Sequence, residues 1–118
     1  MILAVDFDGT IVENGRWPEI GALIPGAANA LRILHSRGHK IIINSCRSGA
    51  PERLMKLFLV ANHIPHDAVN ENLPERTLAF GGDCRKISAD VYIDDKGLGC
   101  NISWSAILNE IKRMEAEA

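Results

Sequence analysis

The chain has 118 residues, 47% hydrophobic and 24% charged, enough for one domain over 1–118 with a single core and too few for a second lobe. A net charge of −2 without a long Lys/Arg run offers no footprint for a membrane surface or a polynucleotide, so a nucleic acid enters the expectations only as a phosphorylated end. No apolar stretch nears the ~20 residues that span a bilayer, no leader is visible, and Cys46, Cys84 and Cys100 lack paired spacing, which together predict a cytoplasmic protein with reduced thiols.

Ile2-Leu3-Ala4-Val5 reads as a buried parallel strand, followed by Asp6-Phe7-Asp8-Gly9-Thr10 at its exit. Strand alternation predicts Asp6 and Asp8 on one side and Phe7 on the other, which sets two carboxylates in a crevice at the carboxyl end of the strand, where open α/β sheets bind ligands. Gly9 permits a sharp turn or close approach, and the Thr10 hydroxyl can hold the turn or one of the acids. The turn-rich segment from Ile11 to Ile24 suits a hairpin-like flap or a plain surface connection. After Pro25-Gly26, Ala27, Ala30, Leu31 and Leu34 recur at helical spacing, and Gly38 stands where a left-handed cap belongs. Lys40 to Ser45 is a second buried strand, joined to the first by a right-handed crossover that delivers Ser45 beside Asp6.

Pro51 and Glu52 mark the start of a second helix, with Leu54, Leu57, Phe58 and Ala61 as its predicted buried stripe. His66 to Asn70 forms a short third strand. Glu71 to Arg85 shows no periodicity and reads as a long loop of the kind that carries function. Asp90 to Asp95 is a fourth strand ending in paired acids, and Ser103 caps a last helix whose Trp104, Ile107, Leu108, Ile111 and Met114 share a face. His35, His39, His63 and His66 read as helix-end or surface residues. Asn70 and Asn72, at the exit of the third strand, are within reach of a bound substrate or serve the chain itself.

Four signals thus stand in order: Asp6-x-Asp8-x-Thr10 after strand one, Ser45 after strand two, Lys86 before strand four, and Asp94-Asp95 at its end. This order resembles the haloacid dehalogenase superfamily of phosphohydrolases over nearly the whole chain. The resemblance implies a three-layer α/β/α Rossmann-like fold with a parallel sheet in the order 3-2-1-4, and a phosphoric monoester hydrolase that works through a phosphoaspartate. It implies that Asp6 is the nucleophile, that Asp8 is the general acid and base, and that Lys86 offsets charge in the transition state. It also implies a metal held by Asp6, Asp94 and the Asp8 main-chain carbonyl, with Asp95 bound directly or through water. Crowded carboxylates with loosely constrained oxygens suit a hard cation such as Mg2+. Gly9, Thr10 and Ser45 form the expected phosphate-binding side, and Arg47, whose planar fork matches a tetraoxyanion, either joins them or makes a surface salt bridge.

Two other classes use a similar fold. A phosphoacceptor receiver domain has comparable acids, hydroxyl and lysine, but in a different order along the chain. A protein-binding module would keep the fold without turnover. Neither the flap nor 71–85 is long enough for a cap with its own core, so an open crevice is expected, rimmed by Trp17 and Phe80-Gly81-Gly82. A bulky phosphorylated substrate, or a second subunit that lends a lid, fits such a crevice.

Overall fold

Strand β1 (Ile2–Val5) is the hub of a computed structural model that describes residues 1–118, and all four of its side chains are buried. Residues with two apolar faces belong in the middle of a sheet covered on both sides. Accordingly β1 pairs in parallel with β2 (Lys40–Ile43) on one flank and β4 (Val91–Ile93) on the other, and β3 (Ala68–Val69) adds to β2. The order is β3-β2-β1-β4, as the resemblance implies. Asp67 and Asp90, just before β3 and β4, pin the register at the amino end. Their carboxylates accept the N–H groups of Ile41 and Ile2 at 2.8 and 2.7 Å.

Helices α1 (Ala27–Ser36), α2 (Gly49–Ala61) and α4 (Trp104–Glu117) share one large core with Leu3, Val5, Ile41, Ile43 and Ile93. The other face of the sheet carries Ile2, Ile42 and Ala68, packed with Leu73, Ile87 and Ala89. The three layers are therefore unequal. Ser103 caps α4 through a long contact from the Ala106 N–H, and the stripe read from the sequence faces inward, with Trp104 and Ile111 fully buried.

Three local expectations change. Residues 71–85 are not a structureless loop: they contain α3 (Pro74–Phe80), whose seven residues are all at least partly exposed, so no apolar stripe reveals the helix. On α2, Met55 and Leu59 enter the core, whereas Leu54 and Leu57 lie outside at 44% and 70% exposure. His39 is buried, not superficial, and links the Met1 amine at 2.9 Å to Glu115 Oε1 at 2.8 Å.

Residues 11–24 do form a hairpin-like flap. Val12 bridges Leu23 in antiparallel fashion, the Glu13 N–H donates to the Ala22 carbonyl, and the Ile24 N–H donates to that of Ile11. Gly21 is required there, since a Cβ would lie 2.1 Å from the Glu13 carbonyl oxygen. The flap's base, Ile11 and Val12, belongs to the main core, and its tip carries an exposed Trp17.

Candidate functional site

The main chain leaves β1 at Val5 and folds at once into a tight turn, in which the Phe7 carbonyl accepts the N–H groups of Thr10, Ile11 and Val12. This turn ends the two-residue alternation. Phe7 still points into the core, edge-on to Phe58 at 5.8 Å. Asp6 and Asp8 leave the turn with different partners.

Asp6 joins Asp94 and Asp95 from the end of β4, and the three carboxylates offer oxygens within 4.8 Å of one another. The fully buried Thr10 hydroxyl sits between them, 3.3 Å from Asp6 Oδ2 and from Asp95 Oδ1, and accepts the Asp95 N–H at 3.1 Å. Gly9 makes room for the cluster: at φ +86° a Cβ would lie 2.3 Å from Asp95 Oδ2. Gly9 and Thr10, expected on the phosphate side, therefore shape and hold the acids. Burial pushes the Asp6 carboxyl up to about 7, helped by its hydrogen bond with Asp95 and by the charges of Asp94 and Asp95. Like charges gathered in a partly desolvated place favour a bound cation. The donors fit a hard divalent ion: three carboxylates converge, and the main-chain carbonyl of Asp8 accepts no hydrogen bond within the chain.

Asp8 belongs to a second arrangement. Arg47, wholly buried, grips it with Nε to Oδ2 and Nη2 to Oδ1, both at 2.8 Å. The remaining donors go to the carbonyls of Pro18 and Pro51 through Nη1 and of Glu19 through Nη2. Rings of Phe7 and Trp17 flank the guanidinium at 5.5 and 4.8 Å. With every N–H committed, Arg47 is not a phosphate ligand in this arrangement but the bolt between Asp8 and the flap. Ser45 is better placed for an anion. It is partly exposed, its Oγ accepts the Arg47 N–H at 3.1 Å, and its own proton remains free to donate. Lys86 is exposed, makes no ion pair, and holds its ammonium 4.9 Å from the Tyr92 ring centroid. Lys86 shares a surface hollow with Phe80, Cys84, Ser88 and Tyr92, and no contact joins it to the acids.

A solved structure of the conserved protein coded by a locus from Bacteroides thetaiotaomicron matches this fold with a TM-score of 0.86. The two are 38% identical over 97% of this chain and 91% of that one. This chain belongs to the same family as that conserved protein. No protein-family model and no curated protein matches it.

In this member of the family, the residues that sequence reading did not assign are the ones that position the others. Asn70, at φ +55°, accepts the Ser45 N–H at 2.7 Å and donates to the Arg47 carbonyl and Glu52. Asn72 gathers the segment before β4: its amide donates toward Asp83, the Cys84 carbonyl and the Lys86 carbonyl, and its oxygen accepts the Ser88 N–H at 2.6 Å. Neither side chain is left free for a substrate. Their place just after β3 was the available signal, since one short strand exit must fix the loops on both of its sides. The Trp104 indole donates to the Thr10 carbonyl at 2.9 Å across 94 residues, a tie that no local pattern announces.

Proposed function

We propose that the protein is a magnesium-dependent phosphatase that hydrolyses a phosphate monoester through a phosphoaspartate on Asp6. The observation that carries this reading is the convergence of Asp6, Asp94 and Asp95 at the carboxyl end of adjacent strands, with the Asp6 carboxyl pushed up to about 7 by burial and by the two neighbouring acids. When bound, magnesium would neutralise these carboxylates and the oxygens of the phosphoryl group.

An Asp6 oxygen attacks phosphorus as the ester P–O bond breaks, and the leaving oxygen takes a proton. Water then attacks the same phosphorus, the bond to Asp6 breaks, and the proton is returned. Asp8 is the proton carrier in this reading. Its carboxylate is 26% exposed, and each oxygen keeps acceptor capacity beyond the bond it receives from Arg47. Arg47 fixes the direction in which Asp8 works, Ser45 donates to a phosphoryl oxygen, and Lys86 adds positive charge at the rim.

Turnover of para-nitrophenyl phosphate distinguishes this reading from a receiver domain or a binding module. The expected result is many turnovers per chain with magnesium, few without it, and none above background for Asp6→Asn. A single stoichiometric event, or turnover that survives Asp6→Asn, contradicts it.

A further inference from the structure

Helix α2 carries two apolar stripes, and only that of Met55 and Leu59 is buried inside the chain. Leu54, Leu57, Phe58 and Ala61 recur at i, i+3, i+4 and i+7 and, with Ile20 of the flap, line an open groove in which Phe58 and Ile20 also touch the core. Leu57 is 70% and the neighbouring Val60 67% exposed. Single exposed apolar residues are ordinary, but a continuous stripe rimmed by charge marks a surface made for another protein.

We propose that this face is where two copies of the chain associate. The spacing is that of a seam which two identical helices bury against each other, and in a two-fold pair one patch serves both sides.

The charges agree as well. Glu19 stands on the flap side of the groove, and at about 100° per residue Arg53 falls on the far side of the stripe. Both are exposed and neither is ion-paired within the chain. A two-fold axis running along the helices brings opposite flanks together, so that Glu19 of each copy meets Arg53 of the other. The association also reaches the site. The groove wall is the flap, and the carbonyls of Pro18 and Glu19 there hold the Arg47 fork that grips Asp8.

Sedimentation of the full chain, from low micromolar to about 100 µM, tests this. The wild type is expected to sediment as a concentration-dependent dimer, and Leu57→Glu to raise the dimer dissociation constant at least ~30-fold. Circular dichroism and the melting midpoint of this variant should be unchanged, because Leu57 touches little of the core. Arg53→Glu should weaken the dimer, and adding Glu19→Arg should restore it. A wild type that stays monomeric at the highest concentration overturns the proposal, as does a Leu57→Glu dimer of undiminished strength. A monomer that instead binds neutral lipid vesicles through the stripe overturns it too.

Discussion

Asp6 shows what one carboxyl costs when three are gathered. The unfolded chain ionises it near its ordinary value of 3.8, whereas the folded chain keeps it protonated until about 7. Between those values folding takes up a proton, so stability falls as the pH rises, and above about 7 the full repulsion remains. The metal-free melting temperature should therefore drop between pH 5 and pH 8. Millimolar magnesium should raise it more at pH 8 than at pH 5, and Asp6→Asn should flatten the pH dependence. An equal response to magnesium at both values would contradict the account. Arg47 makes the complementary case of a charge that cannot be left alone. Replacing it with Met leaves Asp8 and three flap and helix carbonyls unpartnered, and because Asp8 is partly exposed the expected loss is about 3 kcal/mol, at the low end for a broken buried pair. Urea denaturation measures it.

At the scale of elements, the strand exits do the positioning. β1 delivers Asp6, β4 delivers Asp94 and Asp95, and the two asparagines after β3 hold the loops that carry Ser45 and Lys86. Asn72→Ala should cost about 1–2 kcal/mol, because the freed loop groups can turn to water. If Lys86 acts in the transition state, steady-state kinetics should show kcat falling while KM changes little. Loss of stability with unchanged kcat would reduce Asn72 to a structural role. What the sequence made legible follows from the same mechanics. Continuous apolar runs disclosed β1 and β2, and one clear stripe each disclosed α1 and α4. α2 misled because it carries two stripes, and periodicity cannot say which of them meets the sheet. α3 stayed hidden because seven residues with none buried leave no pattern. The acids after β1 were legible as a pair, but their different partners were not. These depend on the turn around the Phe7 carbonyl and on a guanidinium 39 residues away.

The whole molecule joins a thick layer of three helices to a thin one, with the acids and the flap at the carboxyl edge between them. No helix is long and apolar enough to cross a membrane. Neither the flap nor α3 carries a core of its own, and Trp17 and Phe80 are exposed; for the proposed phosphatase, selection among substrates would fall to exposed residues of this kind. A screen of phosphate esters should accordingly favour bulky substrates or phosphorylated macromolecules over small metabolites. The proposed chemistry rests on one bond, between Asp6 and phosphorus. Rapid acid quench of the magnesium-loaded protein with a phosphorus-labelled ester, followed by peptide mapping, reads it directly. The account predicts label on Asp6 within one turnover, lost with Asp6→Asn; label on Ser45, or turnover with no labelled peptide at all, would contradict it.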